Sequence, residues 1–296
     1  MLTGLDDFLK KPQPETFDFR DLMPEYYEHY KALKTHRDNP VYQKLLDELK
    51  EMEQRDPVEK FYLYRTLGVG DGYQDCGRPF DCDNSNGTCQ LSDEIYEALW
   101  SREALSFCRR RREKTPAGDT MNSVATTLRA LTGRNWLELC RTHPEGFQRA
   151  AEFIGMAYTI GNFIPWPVGC NGPRGIGPVH DYWDLTLHCI HQWYQGDADG
   201  LARLFGCRKP GFSAWLTVFG SWDAFIEANY LQDFTEWSTR PYGRPKEFWE
   251  GHFSGKVLPE TDPEFNAFFA HAAEGIRARG LRMVAALRNL PDKKEG

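Results

Sequence analysis

The sequence predicts a mainly α fold, an irregular multi-helix domain with long Gly- and Pro-rich loops and little or no sheet. Three observations predict it. Apolar residues recur at three- and four-residue steps, as on one face of a helix. Helix-starting signals recur along the chain. No run of β-branched residues alternates with polar ones for more than a few positions, and Asn86-Gly87 and Asn171-Gly172 fall in glycine-rich stretches rather than between strand-like runs.

The elements follow in order. Val41, Tyr42, Leu45, Leu46, Leu49 and Met52 share a helical face behind Pro40, which suits a first turn where a missing N–H costs little. A second helix is expected from Ser92 to the run Arg109–Arg112, whose cations would favour its C-terminal dipole or contact a polyanion. Capping boxes mark three more starts, at Asn135 with Glu138, Thr142 with Glu145 and Thr261 with Glu264. In each, a cap oxygen accepts from the backbone and the acid reaches back. The last opens a long helix from Asp262 to about Leu290, closed by Pro291. Two irregular stretches divide the helices, Gly68 to Leu91 and Gly161 to Pro178. The second holds five glycines and four prolines, and its Phe163, Ile164, Trp166 and Val168 predict a loop packed inward. The chain is accordingly divided into an N-terminal helical region, 1–91, ending in a Cys- and Gly-rich loop, and a helical core domain, 92–296.

Composition narrows the function classes. The 296 residues carry 36 Lys plus Arg against 43 Asp plus Glu, a net charge of −7, with 41% hydrophobic, 14% aromatic and 27% charged residues. That excludes a disordered tail, a collagen-like fibre and a coiled-coil rod. An acidic chain is a poor match for a broad nucleic-acid surface, which needs clustered cations. The start lacks a basic segment followed by an apolar one, and the most apolar region, 150–169, is interrupted by Glu152, Asn162, Pro165 and Pro167. No membrane association and a cytoplasmic location are therefore expected.

The candidate chemistry lies in two places. Cys76, Cys82 and Cys89 sit in a loop rich in Gly, Asp and Asn. They are read as reduced surface cysteines, as ligands of a structural zinc completed from elsewhere, or as a disulfide pair plus one; their spacing is wider than the usual zinc knuckle. The other candidate is central. Gly172, Gly175 and Gly177 let a backbone approach a ligand closely, Arg174 lies among them, and a helix is expected from about Val179. Amides at a helix N-terminus beside an Arg make an anion site. Asp181, Asp184, His188 and His191 step by three, four and three residues along that helix. Asp184, His188 and His191 are thus candidate ligands for zinc or another divalent metal, and Asp181, Asp184 and His188 candidate acid–base residues. A structural role, with Arg174 paired to Asp181 or Asp184, is the alternative.

The segments Gly118-Asp-Thr-Met-Asn-Ser, Tyr158-Thr-Ile-Gly-Asn-Phe-Ile-Pro, Asn171-Gly-Pro-Arg-Gly, Asp181-Tyr-Trp-Asp-Leu-Thr-Leu, Phe219-Gly-Ser-Trp-Asp and Gly251-His-Phe occur in order. As a set they resemble a family of uncharacterised bacterial and phage-borne proteins over about residues 117–290. That resemblance implies no activity. Ile160-Gly-Asn-Phe followed by Asn171 also resembles a segment of HNH-type nuclease domains. Those need an acidic-His-Ile-x-Pro segment upstream, and the chain has only Arg141-Thr-His-Pro, with no acid before His143.

The leading expectation is a pocket where Asn162, Asn171, Arg174, Asp181 and Asp184 bind a small anionic ligand or nucleotide, with catalysis left open. One rival is a non-enzymatic interaction protein of a defence or toxin–antitoxin system, using Trp215, Trp222, Trp237 and Trp249 against a protein partner. The other is a divergent, metal-dependent HNH-like nuclease.

Overall fold

The computed structural model describes residues 4–19, 86–108, 119–120, 142–143, 145–146, 148–149, 152–153, 156, 159–167, 169–170, 182–256 and 258–290. The helices whose bounds fall among the described residues are α1 (Leu5–Leu9), α2 (Asn86–Leu99), α3 (Arg102–Ser106), α4 (Trp183–Tyr194), α5 (Gly200–Phe205), α6 (Pro210–Phe219), α7 (Trp222–Ala228) and α8 (Asp262–Arg288). Short 3-10 turns lie at Pro14–Thr16, Ile160–Asn162 and Gln232–Phe234. The fold is mainly α. Strand is limited, among the described residues, to β1 (Asp119–Thr120) and β2 (Pro165–Trp166), paired antiparallel with Asp119 opposite Trp166.

Local chemistry accounts for the helix ends. Thr261 and Glu264 form the expected capping box of α8, Pro263 sits in the first turn, and Arg288 lies in the last. Ser221 Oγ accepts the Ala224 N–H at 3.2 Å and starts α7. Pro210 opens α6 and Gly220, at φ 78°, ends it in a backbone conformation that a Cβ disfavours. The expected helix from Ser92 to Arg109–Arg112 is instead two. α2 begins earlier, at Asn86, and stops at Leu99, because Ser101 turns outward and accepts the Ala104 N–H at 3.2 Å to start α3. Thus Asn86-Gly87 belongs to a helix rather than a loop, and α2 crosses position 91. The helix expected from Val179 begins at Trp183.

The helices enclose one aromatic-rich core. Trp166 meets Phe212 at 4.6 Å between ring centroids, and Trp215 lies 5.8 Å from Trp100 and 5.9 Å from Phe225. Fully burying each such ring contributes roughly 1.5–3 kcal/mol. As its composition suggested, the 161–178 stretch is anchored inward at Phe163, Ile164 and Trp166, all buried. Helix α8, about 40 Å long from its 27 residues, is the spine. The turn at Gly161 lies so close that a Cβ there would stand 1.9 Å from the Ile276 carbonyl oxygen.

Of the four arginines on this spine, one is buried. Arg279 is fully buried and has no carboxylate partner among the described residues. Its Nε donates to the Asn229 carbonyl at 2.8 Å. Nη1 donates to the carbonyls of Gly161 at 2.8 Å and Phe163 at 2.6 Å, and Nη2 to the Tyr96 phenol at 2.9 Å. The Tyr96 hydroxyl in turn donates to the Phe163 carbonyl. Burial raises the Tyr96 phenol above its ordinary pKa against the opposing pull of Arg279, so it serves as a neutral link. The guanidinium also lies 5.5 Å from the Trp183 ring. One side chain thereby ties α8 to α2, to the 160–163 turn and to the end of α7.

Candidate functional site

Asp184 sits in the first turn of α4, where the helix dipole favours a carboxylate. Its Oδ1 accepts the Leu185 N–H at 2.9 Å. Its Oδ2 accepts the Phe248 N–H at 2.8 Å and lies 2.6 Å from His252 Nδ1. A carboxylate that already accepts from two backbone amides makes Nδ1 the donor. Both side chains are completely buried. The Trp249 ring stacks on His252 at 3.6 Å, and Tyr182 meets it edge-on at 4.7 Å.

This leaves atoms over. His252 Nε2 is buried with no hydrogen-bond partner among the described residues, and so is Trp249 Nε1. An Asp that orients an imidazole through Nδ1 and leaves Nε2 unused fixes the tautomer and presents one ring nitrogen for binding or proton transfer. Sequence reading singled out Asp184 but missed His252. The signal was present in Gly251-His-Phe, yet nothing in the spacing joined two residues 68 positions apart.

The other expected site residues fall as follows. Asn162 is buried, and its Oδ1 accepts the Trp183 Nε1–H at 2.7 Å; it positions the start of α4 from the neighbouring turn. Asn171, Arg174 and Asp181 lie outside the described residues, as do Cys76, Cys82 and the Arg109–Arg112 run. Cys89 falls within α2.

The Asp184, His188 and His191 stripe does not gather into a ligand set. Asp184 turns to His252, the His188 ring stacks on Phe253 at 4.3 Å, and the His191 ring meets Trp222 at 4.8 Å. Helical spacing aligned them along the chain, but each side chain packs on a different neighbour. No group of three or more His, Cys, Asp or Glu among the described residues is placed to hold a metal. Burial lowers the pKa of both histidines; for His188, His191 and Arg203 add to it and Asp184 opposes. Burial also raises the Cys189 thiol to about 11, so it packs as a small hydrophobe.

The rival readings lose residues too. Trp215, Trp222 and Trp249 are buried in the core, and of the four tryptophans only Trp237, 61% exposed, meets solvent. His143 Nδ1 lies 2.6 Å from Asp262 at the start of α8, with its ring 5.1 Å from Phe265. Among the described residues no helix is long and apolar enough to cross a membrane.

No curated protein and no solved structure matches the chain. A family model does, over residues 82–283, a span that takes in α2 to most of α8 and both members of the Asp184–His252 pair. The chain belongs to that family, a family of unknown function (DUF6994).

Proposed function

We propose that the chain binds a small anionic molecule, with nucleotides among the candidates, where the 161–181 segment enters α4. The observation that supports this reading is the buried Asp184–His252 pair with its unused Nε2. A buried polar atom ordinarily has a partner, and the free Nε2 of a histidine already oriented by a carboxylate is one that a ligand group can fill. Two roles change from those the sequence suggested. Asp184 orients His252 rather than touching the ligand, and Asn162 acts by positioning Trp183. Arg174, eight residues before Tyr182, is the cation proposed to neutralise the anion.

The test is thermal unfolding of the full chain with inorganic phosphate, AMP, ADP and ATP, repeated for Arg174→Ala and His252→Gln. Stabilisation of the wild type and its loss in both variants is the expected result. No stabilisation by any of the four, or equal stabilisation of both variants, overturns the reading. The interaction-protein reading is left with Trp237 alone as an exposed tryptophan among the four it named. The nuclease reading has neither an acidic partner beside His143 in sequence nor a metal cluster among the described residues.

A further inference from the structure

We infer that the ligand of this site is an oxyanion held by the protonated imidazole of His252 together with the indole N–H of Trp249, so that binding takes up one proton. This rests on the reading above and names the chemistry of the ligand. The donor inventory decides it. Indole Nε1 donates only, and imidazole Nε2 donates only when protonated. With a neutral ring, the buried pair carries the Asp184 charge and turns a lone pair toward the site, which repels an anion. With a protonated ring the pair is net neutral and adds an N–H to that of Trp249, two unpartnered donors on rings whose centroids stack 3.6 Å apart. The Asp184 carboxylate at 2.6 Å supplies the counter-charge, and the indole face gives a cationic ring an electron-rich surface.

The surroundings agree. From α4, His252 faces Asp184; from the N-terminal flank of that helix it faces the Tyr182 phenol ring. From its own segment, Trp249 and Phe253 bring no charge and Glu247 brings a carboxylate, whose Oε1 accepts the Phe253 N–H at 2.7 Å. Phe268 of α8 packs on Tyr182 and Trp249 and is apolar. His188 is separated from the pair by the Phe253 ring and is kept neutral by burial, so it does not compete as a cation. The shared ligand chemistry is a carboxylate or a phosphate-like tetrahedral anion.

Two probes separate those sources, succinate for the carboxylate and sulfate for the tetrahedral anion, neither of which changes charge appreciably from pH 6.5 to 8.5. Isothermal titration in buffers of contrasting protonation heat is expected to read about one proton taken up for the anion that binds. Affinity should fall by about tenfold per pH unit on the alkaline side. His252→Gln keeps a donor for Asp184 and removes the titration, so affinity drops about tenfold or more and the pH slope disappears. Trp249→Phe keeps the ring and removes only the N–H, and should weaken binding about five- to tenfold without changing proton uptake. Binding with no proton uptake, or with an unchanged slope in His252→Gln, overturns this inference and leaves the binding site itself standing. Failure of both probes and of the four phosphates to bind overturns both.

Discussion

Arg279 and the Asp184–His252 pair are two buried polar centres built on opposite terms. Arg279 is a cation whose donors are taken by backbone carbonyls and a phenol drawn from three other parts of the chain. The pair carries its own counter-charge, yet one ring nitrogen and a neighbouring indole N–H have no partner among the described residues. A saturated network rigidifies a core; an unsaturated one carries a cost that folding alone does not explain. The difference marks Arg279 as architecture and His252 as the place to look for chemistry.

Replacing Arg279 should show the largest effect. Arg279→Met takes the guanidinium donors from the Asn229 and Gly161 carbonyls and from the Tyr96 phenol, at about 1–3 kcal/mol each, while the Phe163 carbonyl keeps the Tyr96 hydroxyl as donor. A loss of at least about 4 kcal/mol in urea unfolding is expected, enough to unfold a marginal domain. A loss under about 1 kcal/mol would mean that the network is not a structural hub. Gly161→Ala comes next, because its Cβ would stand 1.9 Å from the Ile276 carbonyl oxygen on the same spine. Overpacking of that kind costs about 3 kcal/mol, and a neutral outcome would show that the turn can lift off α8.

His252→Gln should cost less, about 1–2 kcal/mol, since the amide keeps a donor for Asp184 and the ring stacking is lost, while Nε2 contributes nothing to the fold. If it destabilised as much as Arg279→Met, the contrast between the two centres would collapse. A pH experiment sharpens it further. Burial holds the folded-state pKa values of His188 and His191 below the ordinary 6.5, so the unfolded chain binds more protons there. Stability should be lost as the pH falls through about 6.5 toward 5, and the double substitution His188→Asn, His191→Asn should flatten that slope. An unchanged slope would assign it to other groups. At the small end, Arg282→Ala breaks a solvent-exposed pair with Asp233 at 2.6 Å and should change stability by less than about 0.5 kcal/mol.

The legible features of the fold share one physical trait. The Thr261–Glu264 box and the Pro263 start depend on atoms three residues apart, so they could be read directly and α8 was placed to within two residues of its end. The α2–α3 break was missed because a serine that starts a new helix looks, in a periodic pattern, like one polar residue inside a longer helix. At the site, Asp184 was legible from its position near a helix start. Its partner was not, nor was the scattering of His188 and His191 onto Phe253 and Trp222.

By itself the sequence determined the helical class, the long C-terminal helix and the inward packing of a loop too apolar for solvent, because local hydrogen bonding and hydrophobicity decide these within a turn or two. Only the tertiary structure decided that Asp184 faces His252, 68 residues away, and that Arg279 reaches Gly161 across 118. Such pairings depend on how helices cross and on which small residues let backbones approach. Periodicity along one chain carries no record of that choice.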